Sequence, residues 1–259
     1  MRYFLCLSYD GAAFCGWQIQ PSSPSVQACL EETLSRLLNR PVAVTGAGRT
    51  DTGVHAVNYV AHFDTDGPLP FEASDFIYKL NAMLPHGVAI ISVSEVPADL
   101  HARFSAKRRE YTYFIHRKKD PFVRNYSWLC GYPQLDFDAM NKACQYLLGT
   151  HDFSCFEKTG GDNKTSICTV FEAYWEPYVP TLASICHSAR SEESNYWYFR
   201  IAADRFLRNM VRATVGTLIE VGRGKHSPEW VAELVEKGTR SEAGESVPGN
   251  ALFLNKVLY

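Results

Sequence analysis

The sequence predicts a mixed fold of helices and strands, of the α+β or α/β class, built from two similar halves. Strand-like alternation and helix-like periodicity follow one another in the order β-α-β-α-β along the first half. A similar order recurs in the second half, although the residues themselves do not repeat. With 259 residues, 46% of them hydrophobic, the chain can bury a sizeable core in one large domain or two ordinary ones.

The first half is predicted to contain three strands and two helices. Alternating apolar residues indicate strands at 3–9, 54–63 and 88–96. Apolar residues at helical spacing indicate helices over 24–39 and 74–83. Ser23 can cap the first helix, and Pro24 suits its first turn.

The second half is predicted to contain five strands and three helices, one of them long. The strands are expected at 110–116, 169–178, 182–187, 195–202 and 251–259. Helices are expected at 138–148 and 204–221, with a short one from Ser227, and His151-Asp152 is expected in a turn after the helix stop at Gly149. We place the boundary near 104–110, which separates an N-terminal lobe, 1–106, from a C-terminal lobe, 107–259.

Bulk composition indicates an ordinary soluble protein. The formal net charge of −2 conceals basic stretches at 103–119 and 200–212. The eight cysteines form no C-x-x-C pair and no His-Glu-x-x-His spacing occurs, so we expect free thiols and no metal. The apolar start of the chain meets an acid at Asp10, too early for a signal or membrane segment. We therefore expect a cytoplasmic protein.

The stretch 46–56 is the strongest candidate for a functional loop. Its three glycines allow backbone conformations closed to other residues, and between them stand Arg49 and Asp51. A dinucleotide fingerprint needs a glycine in place of Asp51, and a P-loop needs Lys-Ser/Thr in place of Val54-His55, so both interpretations fail. From spacing alone, a structural turn with a solvated Arg/Asp pair and an active-site loop are equally favoured.

Asp51 suits chemistry that needs an ionised carboxylate. The neighbouring Arg49 favours the charged form, which can attack an electrophilic carbon or stabilise an oxocarbenium-like sugar. No serine or cysteine stands in a nucleophile-elbow sequence, so triad hydrolysis lacks its local pattern. Asp10 precedes Gly11 and is better explained as a turn residue. A single carboxylate fits a reaction in which the leaving base is retained and reattached.

Basic and aromatic residues of the second half indicate a polynucleotide partner. Lys107 and Arg109 interleave with Tyr111 and Tyr113, as in surfaces that bind phosphates and stack an unpaired base. A strand with both tyrosines in the core is the alternative. On the predicted helix 204–221 three cations share one face: Arg205, Arg208 and Arg212. Such a face favours a polyanion or a carboxylate opposite it.

A series of motifs runs along nearly the whole chain. The most specific is Arg-Thr-Asp-x-Gly-Val-His at 49–55. The others are Tyr9-Asp10-Gly11-x-x-Phe14-x-Gly16-Trp17-Gln18, Ser25-Val26-Gln27, Leu80-Asn81-x-x-Leu84-Pro85, His101-Ala102-Arg103-Phe104-Ser105-Ala106, Arg109-x-Tyr111-x-Tyr113, Gly149-Thr150-His151-Asp152-Phe153-Ser154 and Met210-Val211-Arg212. In content and order, the chain resembles the tRNA pseudouridine synthase A family.

The resemblance implies the pseudouridine synthase fold, α+β in class, with two similar lobes around a largely antiparallel central sheet and a basic cleft between them. It implies a homodimer that isomerises uridine to pseudouridine in the anticodon stem-loop of tRNA, at positions 38, 39 and/or 40. Such a reaction uses no cofactor. A paralogue that binds or folds tRNA without catalysis is the alternative.

The resemblance also implies roles for individual residues. Asp51 matches the aspartate that engages the ribose C1′ of the target uridine, and Tyr111 matches the tyrosine that packs on the base and assists proton removal from C5. Arg212 matches the cation paired with the carboxylate, and Arg49 matches the arginine that helps to extrude the nucleotide. Further RNA contacts are expected from four cations: Lys107, Arg109, Arg205 and Arg208.

The chain departs from the family pattern at several positions. Tyr59 stands where a glutamine is usual, and Cys168 stands where an arginine is common. The stretch 203–209 and the final run from Gly249 also differ. These departures bear on which uridines are accepted and on how the tRNA is held.

Overall fold

The computed structural model describes residues 1–160, 164–180 and 195–259. They form two compact units, the first from Met1–Arg109 with Phe253–Tyr259 and the second from Glu110–Leu252. The expected lobes, 1–106 and 107–259, assigned the end of the chain to the second lobe. The structure groups that end with the first unit, where Phe253 and Leu254 pair with the strand after the Asp51 loop.

Ten strands and five α-helices lie in the described ranges. The strands are β1 (Arg2–Tyr9), β2 (Thr45–Gly46), β3 (His55–Asp64), β4 (Val88–Val96), β5 (Arg108–His116), β6 (Trp128–Leu129), β7 (Gly149–Asp152), β8 (Ile167–Pro177), β9 (Tyr196–Ala203) and β10 (Leu252–Leu258). The helices are α1 (Val26–Leu38), α2 (Ala73–Met83), α3 (Phe137–Gln145), α4 (Met210–Gly222) and α5 (Trp230–Lys237).

The first unit is a sheet in the order β4-β1-β3-β10, with β2 beside β3. β1 pairs antiparallel with both β3 and β4, whereas β10 runs parallel to β3. Alternate residues of β1 are buried, including Leu5 and Leu7, and the apolar stripe of α1 buries Leu30 and Leu34. Because β3 pairs with β1 on one side and with β10 on the other, it is an interior strand of this sheet. The loop before β3 is therefore joined to a strand that is held on both sides.

The second unit contains the strand order β5-β9-β8-β7, with the short β6 parallel to β5. β8 pairs antiparallel with both β7 and β9. α3 packs on α4 and β8, and the largest buried side chain is Trp175 of β8. Antiparallel pairing predominates in both units, which confirms the predicted mixed fold with a largely antiparallel sheet.

The first predicted helix is confirmed, but its cap differs from the expected one. α1 starts at Val26, and the Ser25 hydroxyl, not that of Ser23, accepts the N–H of Ala28 at 3.2 Å. Asn39 ends the helix in the left-handed conformation, with φ of 51°. The cap moves because Ser25 is the residue that can reach the free N–H groups of the first turn.

The predicted helix 204–221 was wrong at its start, since α4 begins only at Met210. The Asp204 carboxylate accepts the backbone N–H of Arg205 at 2.7 Å and of Thr169 at 2.8 Å, which favours a turn over a helix. Asn209 then takes a left-handed conformation, with φ of 66°. Arg205 and Arg208 therefore precede the helix, and the expected shared face with Arg212 does not form.

Two further expectations concern the second unit. The predicted turn at His151-Asp152 was wrong, because both residues belong to β7 and His151 pairs with Cys168 of β8. The predicted strand at 182–187, with Cys186, lies outside the described residues. The seven cysteines within the described ranges are free thiols, four of them buried.

Candidate active site

The Arg49/Asp51 loop connects the short strand β2 to β3 in the first unit. At its start, the N–H of Ala47 donates to the carbonyl of Val60 at 2.8 Å. At its end, the N–H of Val54 closes a turn on the carbonyl of Asp51 at 3.1 Å, and Gly53 adopts a φ of 77°. Both ends of the loop are thus tied, one to the sheet and one to itself.

Tyr59 of β3 holds the start of the loop through hydrogen bonds to Gly48. Its hydroxyl donates to the carbonyl of Gly48 and also accepts the N–H of Gly48 at 3.3 Å. The side chain is fully buried and stacks on Trp17, with ring centroids 4.2 Å apart. The edge of Tyr9 completes the aromatic group at 5.6 Å. The peptides next to Arg49 are therefore fixed by a rigid aromatic group.

Thr50 is the residue of the loop that points into the protein. Its hydroxyl shares a buried 2.9 Å hydrogen bond with the Tyr9 hydroxyl, and its carbonyl accepts the N–H of Trp17 at 3.2 Å. Thr50 is buried, whereas the adjacent Arg49 is exposed and Asp51 is half-buried. Anchoring of Thr50 thus leaves its two charged neighbours at the surface.

Two glycines outside the loop make room for it. Gly16 has a φ of 93°, and a Cβ built there would lie 2.2 Å from the carbonyl oxygen of Thr50. A Cβ on Gly11 would lie 2.1 Å from the carbonyl oxygen of Val54. Both distances are far below van der Waals contact, so only glycine permits this close approach.

His55 and Asp10 extend the support on the Val54 side. The N–H of Gly11 donates to Nδ1 of the buried His55 at 3.0 Å, and the His55 ring stacks on Phe253 of β10 at 4.6 Å. The Asp10 carboxylate accepts the N–H of Ala12 at 2.9 Å and begins a short 3₁₀ turn. This geometry confirms the interpretation of Asp10 as a turn residue.

Arg109 lies in the first unit and is 9% exposed. Its guanidinium donates to the carbonyl of Ala47 at 2.9 Å and to the carbonyl of Arg103 at 2.6 Å. The guanidinium therefore meets the base of the loop. Lys107, two residues earlier, has an exposed side chain.

The remaining candidates belong to the second unit. Tyr111 of β5 is half-buried and meets Phe206 edge-on, with ring centroids 5.0 Å apart. Tyr113 is in the core, where burial raises its pKa and its hydroxyl donates to the carbonyl of Pro248 at 2.9 Å. Arg212 is half-buried in the first turn of α4, and its Nε donates to the carbonyl of Val247 at 2.7 Å.

The loop-supporting residues were not singled out as site residues by the sequence. Tyr59 was noted only as a departure from the family, and Trp17 only as part of a motif. Trp17 follows Gly16, whereas Tyr59 stands between Asn58 and Val60, and neither local sequence reveals which backbone group the side chain meets. Among the described residues, no helix is long and apolar enough to cross a membrane, and no group of three His, Cys, Asp or Glu side chains is placed to hold a metal ion.

The fold and the loop together define a mixed α/β protein that presents one carboxylate and one guanidinium on a glycine-supported turn. Residues 5–105 and 143–259 match the model of a family described as tRNA pseudouridine synthase. The chain belongs to this family. The reaction that names the family converts uridine in tRNA to pseudouridine, so the chain is an isomerase.

Curated relatives are similar to the chain over its whole length. The tRNA pseudouridine synthase A of Bacteroides fragilis is 46% identical, and the match covers 100% of this chain and 96% of the relative. That of Porphyromonas gingivalis is 44% identical, with coverage of 100% and 97%. That of Bacteroides thetaiotaomicron is 46% identical, with coverage of 100% and 90%.

Proposed function

We propose that the chain modifies the anticodon stem-loop of tRNA, at positions 38, 39 and/or 40, and that Asp51 is its nucleophile. The observation that carries the proposal is the anchored loop, in which Thr50 is tied inward while the half-buried Asp51 stays partly accessible. A carboxylate held in this way needs little reorganisation before it reacts.

In the proposed reaction, a carboxylate oxygen of Asp51 attacks the ribose C1′ as the bond from C1′ to N1 breaks, and the bonding pair leaves with the uracil. The base turns, C5 attacks C1′, and the carboxylate leaves with its electron pair. The C5 proton is lost to a base and N1 gains a proton, so no atom is added or removed overall. The uracil stays bound throughout, which is why no hydrolytic water is needed.

Three residues assist in this proposal, with roles carried over from the family resemblance. Tyr111 packs on the base and assists removal of the C5 proton. Arg212 supplies the positive charge paired with the carboxylate, and Arg49 helps to hold the target nucleotide out of its stack. Unstacking costs a few kcal/mol and is cheapest in a loop or at a frayed stem end.

The cations proposed to bind the RNA backbone divide into two groups. Lys107 and Arg208 are exposed and can approach phosphates, and the half-buried Arg205 is proposed for the same role. Arg109 is instead proposed to support the loop through Ala47 and not to contact RNA directly. This assignment changes the role expected of Arg109 from the sequence.

Release of tritium from C5-labelled uridine in tRNA tests the nucleophile. Wild type should release it, and Asp51→Ala and Asp51→Asn should not. The matched control is Thr52→Ala, because Thr52 is exposed in the same loop and should keep full activity. An active Asp51→Ala variant would contradict the assignment.

The finer parts of the proposal have separate tests. Mapping pseudouridine in tRNA from cells with and without the gene checks the positions, and light scattering checks the proposed homodimer. Fractionation checks the proposed cytoplasmic location. Tight tRNA binding without any tritium release would instead favour the non-catalytic paralogue.

A further inference from the structure

The segment 101–105 in the first unit forms a turn held by its own side chains. Nδ1 of His101 accepts the backbone N–H of Arg103 at 3.0 Å and of Phe104 at 3.2 Å. The N–H of His101 donates to the Ser105 hydroxyl at 2.9 Å, and the N–H of Ser105 returns to the His101 carbonyl at 3.0 Å. These bonds fix the backbone on both sides of Phe104.

The turn is also anchored to the sheet. The N–H of the buried Ala102 donates to Nδ1 of His62 on β3 at 3.1 Å, and the Ala102 carbonyl accepts the Tyr259 hydroxyl at 2.7 Å. Arg109 holds the Arg103 carbonyl from a third direction. The position of Phe104 is therefore determined by the fold.

This rigid turn presents an apolar ring to solvent. Phe104 is 77% exposed, and its ring lies 4.4 Å from the His101 ring and 5.6 Å from the guanidinium carbon of Arg103. A phenylalanine on an ordered, exposed turn gains no stability from burial. The ring keeps most of its surface available for a partner.

The charge around the ring indicates the partner. Arg103 and Lys107 are exposed, and the stretch 101–109 contains no acid. An exposed aromatic ring with a guanidinium 5.6 Å from it, and a second exposed cation three residues along the chain, matches single-stranded nucleic acid, in which bases stack on the ring and phosphates meet the cations. A second copy that met this turn with its own turn across a two-fold axis would bring the same cations face to face.

We propose that Phe104 is a stacking site for an unpaired base of the bound tRNA, with Arg103 and Lys107 at the flanking phosphates. The proposal rests on the tRNA substrate of the proposed function but not on the role of Asp51. Phe104 contributes to binding and position, so its loss should raise KM while kcat at saturating tRNA changes little.

Three variants test the stacking site in full-length protein. Phe104→Leu keeps an apolar side chain but removes the aromatic face, and we expect the Kd for tRNA to rise roughly tenfold. Phe104→Trp keeps an aromatic face and should bind tRNA as wild type does. Bound tRNA should quench the emission of the new tryptophan, beyond the change seen with the native tryptophans alone. Arg103→Ala should reduce the salt slope of binding by about one, whereas Phe104→Leu should leave that slope unchanged.

Tyr78 offers a matched control. It is 75% exposed, but it lies on α2 with Asp75 one turn before it and a single cation, Lys79, beside it, so Tyr78→Leu should bind tRNA as wild type does. An unchanged Kd in Phe104→Leu would overturn the proposal, as would loss of dimer in that variant, which would assign the ring to a second copy. Tritium release by Asp51→Ala would overturn the nucleophile without affecting Phe104.

Discussion

The Tyr59 hydroxyl makes two hydrogen bonds with Gly48: it donates to the Gly48 carbonyl and accepts the Gly48 N–H. Gly48 directly precedes Arg49, and Asp51 follows two residues later. A side chain from the strand after the loop thus fixes the backbone that carries both charged residues. Removal of one hydroxyl should therefore loosen the loop without altering the core.

Tyr59→Phe keeps the ring stacked on Trp17 and deletes only the hydroxyl. Both polar groups of Gly48 then lose their partner, and we expect the free energy of unfolding to fall by about 1–3 kcal/mol. We also expect a lower kcat with little change in KM, because a mobile loop presents Asp51 less often. Denaturant unfolding measures the change in stability, and steady-state tritium release measures the change in kcat. An unaltered kcat would show that the hydrogen bonds between Tyr59 and Gly48 serve stability only.

Gly16→Ala should disable the loop, whereas Gly48→Ala should be tolerated by the fold. A Cβ at Gly16 would overlap the Thr50 carbonyl, and its φ of 93° already disfavours a side chain. A Cβ at Gly48 meets nothing within 4 Å. Thermal unfolding of the two variants checks the contrast, which fails if both melt at the wild-type temperature.

Lys107 and Arg109 should respond differently to replacement by alanine. Lys107→Ala should reduce the salt slope of tRNA binding by about one, because an exposed cation at a phosphate releases about one counterion. Arg109→Ala should chiefly destabilise the protein, by about 1–3 kcal/mol, because the carbonyls of Ala47 and Arg103 lose their donor. Salt-dependent tRNA binding and urea unfolding separate the two roles. A large change in the salt slope of tRNA binding in Arg109→Ala would show that Arg109 contacts RNA after all.

The stability of the protein should fall in mild acid because of His62. Burial, with a smaller contribution from Arg2, lowers the pKa of His62 from 6.5 to about 4. The unfolded chain therefore binds the proton first, and the free energy of unfolding should decrease as the pH falls from 6.5 toward 4. In His62→Gln, which can still accept the Ala102 N–H, this decrease should be smaller. Urea titrations at several pH values test this, and equal slopes in both proteins would refute it.

Local patterns predicted most elements but not their detailed starts. The strand Val88–Val96 was predicted within its observed bounds, because its apolar pattern depends only on neighbouring residues. The start of α4 was missed because the side chain of Asp204 binds the N–H of Thr169, a residue distant in sequence. The prediction that Arg205, Arg208 and Arg212 share one helix face was wrong for the same reason.

The sequence by itself determined the family and the mixed fold, because motifs and periodicity are local properties that can be read along the chain. Through the family resemblance, it also indicated Asp51 as the candidate nucleophile. Only the tertiary structure decided what holds that loop. Tyr59, Trp17 and Tyr9 reach residues 48–50 through strand pairing and aromatic packing, and such contacts between distant residues leave no periodic signal in the chain. Contacts between distant residues also explain why Arg109 is buried and Lys107 is exposed, although the sequence pattern predicts the same role for both cations.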